Sequence, residues 1–400
     1  MRNYPTYIPL HQPTKKTKKM KFSANVSVLL PLLVAMQKVI DKKAVQAVLQ
    51  HVLLKKVDGR YYLTASTSEN ELTMPVDIAE IDMAGFESCC LDVERIVPIF
   101  NTLGNQPVEF DLNPDGNTMR VAYEGGSFSI PYFNGDVFPI MPDVKDPLVE
   151  FSLPTATFLQ NVLAAQSFSD ADPNTLRPVM ASVCLDVSNE GITFVGTTGH
   201  QLYTNAYYHG VPFLTCGEPR QIMIHQKFVR SLVAPLKKTE MVTISCDANR
   251  LKIVADDVKF VIRSIDGRYP NYRAVIPVNH PHHAIIDKNA LQKALTRISL
   301  LSSSHSNLIM FGRDEKGVFL SAEDLDFSTS GREYVAVKEI ESAYEFKMGF
   351  KGSAVQQILG YITSEDVRME FHTPDRAVLF KETTENSTLV ELVMPMLLQD

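Results

Sequence analysis

Residues 52–72, VLLKKVDGRYYLTASTSENEL, form two β-rich runs broken at Asp58-Gly59. An Asp-Gly pair between such runs reads as a tight hairpin. The same outline returns as VCLDVSNEGITFVGTTGHQLY (183–203) and IMFGRDEKGVFLSAEDLDFST (309–329), with Gly191 and Gly317 in the turns. A second set of hairpins follows in register: 108–130, 242–265 and a third copy beginning at 367–382. Each leads to an apolar residue followed by proline, namely Phe138-Pro139, Tyr269-Pro270 and Met394-Pro395. Amphipathic helices are expected before the first set, over 27–40, 157–168 and 287–301. Three more, over 92–103, 225–236 and 351–362, precede the second set. One helix-plus-hairpin plan therefore runs twice in each of three units, a period longer than that of solenoid repeats.

The expected class is α+β with antiparallel sheets. Pro-bearing linkers near 141–147 and 277–283 divide the chain into 20–145, 146–278 and 279–400. Residues 1–19 are polar and end in a basic run; they read as a disordered extension or a mis-called start before Met20. No apolar stretch approaches a membrane span, and no signal peptide opens the sequence. Five cysteines without a CxxC pair fit reduced thiols and a cytoplasmic setting better than a disulfide framework or zinc site.

The net charge of −7 disfavours nucleic acid on its own, so its distribution matters more. Positive residues gather on the helices: Lys42 and Lys43 after the first, Lys227 and Arg230 at i,i+3, Lys293 and Arg297 at i,i+4. Carboxylates gather in the hairpins. Like units joined head to tail leave an open sheet edge at each end, and a heterologous contact closes into a ring or grows into a filament. Two chains would make a six-unit ring with helices inside or, conversely, outside. Helices inside would focus positive charge on a common hole, attracting phosphates without reading bases.

The motifs TTGHQL (197–202), DGRYPNYRAVIP (266–277), ALTRISLLSS (294–303) and LVMPMLL (392–398), in this order, resemble the bacterial sliding clamps, the β subunit of DNA polymerase III. The resemblance runs from Met20 to the C-terminus. It implies three tandem clamp-fold repeats, sheets outside and helices lining a ring, and a head-to-tail homodimer encircling duplex DNA. It also implies a pocket for short motifs of the polymerase α subunit, the clamp loader and repair proteins. That pocket would comprise Met180, Thr197, Gly199, His200, Leu202, Pro270 and Val275. From the C-terminal stretch it would add Leu392, Val393, Met394, Pro395, Met396, Leu397 and Leu398. Methionines suit a surface that accepts several partners.

By the same resemblance Lys43, Arg177 and Lys227 fall at DNA-facing positions, while Phe128 and Ile130 would pack against Leu300 and Leu301 of a second copy. Thr198 and Gln201 stand where the family commonly has Asp and Arg. Ala274 and Leu397 stand where basic residues are frequent, so a less basic pocket is expected. The implied function is a non-catalytic processivity factor of DNA replication, cytoplasmic and nucleoid-associated, needing no cofactor. The alternative is a monomeric interaction scaffold with the same fold and no ring. A hydrolase acting through His200 finds no nucleophile elbow, phosphate loop or paired acids to support it. HPHH (280–283) lacks matching ligand spacing, so no metal is expected.

Overall fold

The computed structural model describes residues 20–172, 175–208, 219–340 and 345–396. They divide into two compact units: one of residues 1–142 with 257–260, the other of 143–256 with 261–400. The fold is α+β, with every pairing of its strands antiparallel.

The hairpins form where the turn chemistry places them. Val52–Val57 pairs with Arg60–Ser66 across Asp58 and Gly59, whose φ values of +48° and +82° give the turn that suits the twist of paired strands. The counterparts Ser182–Val187 with Gly191–Thr197, and Leu308–Asp314 with Gly317–Asp324, pair in the same way. Each gains a third strand: Asn70–Val76, Gln201–Tyr208 and Thr329–Tyr334.

Six α-helices are described: α1 (Val26–Gln37), α2 (Val93–Phe100), α3 (Thr155–Ser167), α4 (Gln226–Leu236), α5 (Lys288–Ser299) and α6 (Gly352–Tyr361). They pack as α1 with α2, α3 with α4 and α5 with α6. Asp92 and Asp287 start α2 and α5 by accepting the N–H groups of Arg95 (3.2 Å) and Ala290 (2.6 Å). Such caps satisfy donors that have no partner within the helix. Both helices then bury one stripe: Val93, Ile96, Val97 and Phe100 in α2, Leu291, Ala294, Leu295 and Ile298 in α5.

In the first unit one sheet runs Ala79–Asp82, Met20–Asn25, Pro107–Asn113, Thr118–Tyr123, Gly126–Pro131. In the second unit, nine strands run from Arg220–His225 at one edge to Val337–Ile340 at the other. The middle of this sheet is the sequence Gly191–Thr197, Gln201–Tyr208, Val390–Val393, Val378–Glu382. Residues nearly 190 positions apart thereby share one hydrogen-bonded ladder. A further sheet runs Thr329–Tyr334, Gly317–Asp324, Leu308–Asp314, Lys347–Lys351. Cys89, Cys90, Cys184 and Cys246 are buried free thiols; Cys216 lies outside the described residues.

Candidate functional site

The pairing of Gln201–Tyr208 with Val390–Val393 organises the site. Leu202 stands opposite Leu392, and Gln201 opposite Val393. The apolar C-terminal stretch reads in the sequence as one run, but its strand ends at Val393. Pro395 has no N–H to continue a ladder. Instead the Met394 N–H donates to the His200 carbonyl (2.8 Å), and the Met396 N–H to the Gly349 carbonyl (2.7 Å). Gly349 belongs to strand Lys347–Lys351, so the tail leaves one sheet and touches the edge of another.

The turn before Gln201 is held by its own hydroxyls. Thr197 Oγ1 donates to the Gln201 carbonyl (2.7 Å) and accepts from the Gly199 N–H (3.0 Å). Thr198 Oγ1 accepts from the N–H groups of His200 (3.3 Å) and Gln201 (3.2 Å). Gly199 has φ +88°, a left-handed conformation costly to residues with a Cβ, and it sits over the Met180 methyl.

The third component is the loop of residues 269–276. Tyr269 and Tyr272 are buried and anchor it. The Tyr272 hydroxyl donates to Asp186 Oδ2 (2.7 Å), and Arg273 Nη1 lies 2.9 Å from the same oxygen. The Arg273 guanidinium also covers the Tyr272 ring at 5.0 Å. Burial, then the bond to Asp186, pushes the Tyr272 hydroxyl far above its ordinary range, so it stays a donor. Asp186, itself buried on Ser182–Val187, thus fastens the loop to the sheet.

The residues expected from the sequence take three positions. Met180, Thr197, Leu202, Leu392 and Val393 are buried and form the floor. Pro270, Met394 and Pro395 are half-buried. Gly199, His200, Val275 and Met396 are exposed, Val275 at 58%. Leu397 and Leu398 lie outside the described residues. Sequence reading missed Asp186, Tyr272 and Arg273 as the fastening of the loop. It also missed Val179 and Ile276, which pack half-buried on the same cluster as Leu202 and Leu392. The one basic side chain of the loop's inner turn, Arg273, is committed to Asp186.

Of the cationic residues, Lys43, Arg177, Lys227, Arg230, Lys293 and Arg297 are exposed. Lys42 is exposed too and pairs with Glu94 at 3.0 Å. Arg297 is held by Glu333, Nε to Oε2 at 3.0 Å, which draws the Arg297 pKa up and the Glu333 pKa down. In α4 the exposed Lys227 and Arg230 back onto the buried Phe228, Val229 and Leu232, so the positive face is opposite the packed one.

Two sheet edges are open among the described residues. In the first unit Gly126–Pro131 is terminal, with Ile130 buried and Phe128 half-buried beside Tyr123. In the second unit Thr329–Tyr334 is terminal, and Leu300 next to it is 82% exposed while Leu301 is half-buried. No group of three or more His, Cys, Asp or Glu able to hold a metal occurs among the described residues. His283 of the HPHH stretch instead faces Glu339 at 3.1 Å. No described helix is long and apolar enough to cross a membrane.

Comparison with known proteins agrees with this geometry. Residues 273–397 match the family model of the DNA polymerase III beta subunit, C-terminal domain. The beta sliding clamp of Escherichia coli K12 is 24% identical over 382 residues, covering 94% of this chain and all of that protein. The beta sliding clamp of Staphylococcus aureus Mu50 is 23% identical, covering 90% and 94%. Among solved structures, the DNA polymerase III beta subunits of Pseudomonas aeruginosa and Thermotoga maritima superpose with TM-scores of 0.83 each, at 21% and 20% identity. Each alignment covers 95% of this chain and 100% of the other.

Proposed function

We propose that this chain, whose residues 273–397 belong to the DNA polymerase III beta-subunit family and which carries the bacterial sliding-clamp fold along its length, is a DNA sliding clamp. It works without catalysing a reaction. Two copies join head to tail through the open edges Gly126–Pro131 and Thr329–Tyr334, closing six like modules around duplex DNA. Phe128 and Ile130 of one copy meet Leu300 and Leu301 of the other. A closed ring cannot leave the duplex, and loose phosphate contacts through Lys43, Arg177, Lys227, Arg230 and Lys293 let it slide. Lys42 and Arg297, each shared with a carboxylate, contribute less.

The ring holds the polymerase α subunit, the clamp loader and repair proteins by short apolar motifs. The observation carrying this reading is the single ladder of Gln201–Tyr208 with Val390–Val393. It gathers the Thr197–Leu202 turn, the 269–276 loop and the C-terminal stretch into one apolar surface of exposed Val275 and Met396 above a buried floor. An extended peptide laid there finds methionines that adapt to different side chains. Tethering then raises the local concentration of the bound enzyme at DNA.

The test is fluorescence anisotropy with a labelled Gln-Leu-x-Leu-Phe peptide, titrated with the full chain and with a variant ending before Met396. Saturable binding to the full chain, lost in a folded variant, supports the clamp. Equal binding to both would remove the tail from the site. The scaffold alternative is separated by solution mass: twice 44.7 kDa for a ring, 44.7 kDa for a monomer.

A further inference from the structure

One corner of the second unit holds three large apolar side chains in water. Leu300, just after α5, is joined by Leu325 and Phe327, which are 80% and 77% exposed. The latter two sit in the turn between strands Gly317–Asp324 and Thr329–Tyr334. Scattered single exposures need no explanation, but a cluster against an open edge does.

The turn is built to keep these side chains outward. Asp324 is buried, and its Oδ1 accepts the N–H groups of Asp326 (3.0 Å) and Phe327 (3.4 Å). Ser328 takes φ +53°, and its N–H returns to the Leu325 carbonyl at 3.4 Å. The turn is also fixed to the end of α5. Thr329 Oγ1 donates to the Leu301 carbonyl (3.3 Å), and Gly331 lies so close to the Leu301 side chain that no Cβ would fit. Backbone hydrogen bonds that tie the tip down leave the two apolar side chains with nothing of their own chain to cover them.

We infer that Leu325 and Phe327 are a second apolar anchor of the subunit seam, closing over strand Gly126–Pro131 of another copy beside the Leu300 contact. This rests on the ring reading and adds to it residues that the sequence did not single out. The occupant follows from the edges. In the sheet that carries the tip, the far edge Lys347–Lys351 is bridged by Met396 at Gly349, which leaves Thr329–Tyr334 as the open side. In the first unit the sheet's other edge, Ala79–Asp82, carries Glu80 and Asp82, charges of the kind that guard an edge. Gly126–Pro131, with sequence GSFSIP, carries no charge at all. An unguarded, uncharged edge and an edge flanked by an apolar tip are present on the same chain, so each copy offers the other what it lacks.

The test is sedimentation equilibrium of the full chain across a concentration series. Wild type, the Leu325→Ser/Phe327→Ser double variant and Leu300→Ser are compared. Removing two side chains that are buried only in the assembly should raise the dimer Kd about thirtyfold. The melting temperature of the monomer should not change, because the tip makes its hydrogen bonds through backbone and Asp324. A conservative pair, Leu325→Met with Phe327→Leu, should stay within about threefold of wild type. A dimer Kd untouched by the double serine variant but raised by Leu300→Ser would overturn the tip as an anchor and leave the seam standing. A wild-type chain that stays at 44.7 kDa throughout would remove the seam, and this inference with it.

Discussion

Glu391 offers a direct test of how the site's central ladder is built. It lies on Val390–Val393 with no exposed surface, and neither carboxylate oxygen has a hydrogen-bond partner among the described residues. Its neighbours in register are Tyr203 and Phe380. Tyr203 gives its hydroxyl to Asn161 and packs its ring against Phe168 and Tyr361, so it offers the carboxyl nothing. Burial, and then the negative charge of Glu382, push the Glu391 pKa well above the ordinary 4.5. The folded chain therefore keeps a proton that the unfolded chain releases. The stability linked to that proton is fully present below pH 4.5 and is lost as pH rises toward the folded pKa. One proton gives a slope of about 1.4 kcal/mol per pH unit. Glu391→Gln keeps the shape and cannot ionise. Its stability relative to wild type should grow by up to about 2.7 kcal/mol between pH ~5.5 and ~7.5. Urea midpoints read by far-ultraviolet circular dichroism at several pH values measure this, and all other titrations cancel in the difference. Parallel curves for the two proteins would refute the reasoning, because they would mean that the folded carboxyl ionises as freely as an exposed one.

Three further outcomes follow from the same geometry. Asp186→Asn removes the charge that holds Arg273 and weakens the acceptor for Tyr272. Thermal melting should report a loss of about 1–3 kcal/mol, and anisotropy a weaker grip on the peptide as Val275 loses its fixed place. Gly199→Ala should cost about 1–2 kcal/mol from backbone conformation alone, since the new Cβ would meet only the Met180 methyl at 3.5 Å; an unchanged melting temperature would contradict this. Lys227→Ala should lower the slope of log affinity for duplex DNA against log salt by about 0.9, with no change in peptide binding. An unaltered slope would take Lys227 off the DNA path.

Much of the architecture could be read from turn chemistry. Asp58-Gly59 announces its hairpin because few other pairs take two positive φ values cheaply, and the alternating runs on either side fix which faces are buried. The helices emerge close to their expected spans for the same reason, since apolar stripes at 3.6-residue spacing leave little choice. Local pattern fails where the partner is distant. Asp186 looks like a polar residue on an ordinary strand until Tyr272 and Arg273, some 86 positions on, reach it. Glu391 sits in LVELV, where a carboxylate suggests a solvent face. Both faces of that strand are covered, so alternation carries no information. The C-terminal run misled in another way: its hydrophobicity reads as one strand, but Pro395 withholds the donor that a strand would need. Leu325 and Phe327 were passed over because apolar residues in a hairpin read as core. Their exposure depends on a turn that only three dimensions reveal.

Every element of the partner surface, from the Thr197–Leu202 turn to Met396, comes from one chain, and Leu202 and Leu392 meet in that chain's own ladder. The open edges are elsewhere, on Gly126–Pro131 and Thr329–Tyr334. Grip and closure are thus separable. A protein that pulls two copies apart at their edges need not release its hold on either, and a lone copy can be handled before any circle exists. Occupancy then scales with the number of chains: an assembled pair offers two independent berths, so one enzyme can wait on the clamp while another works.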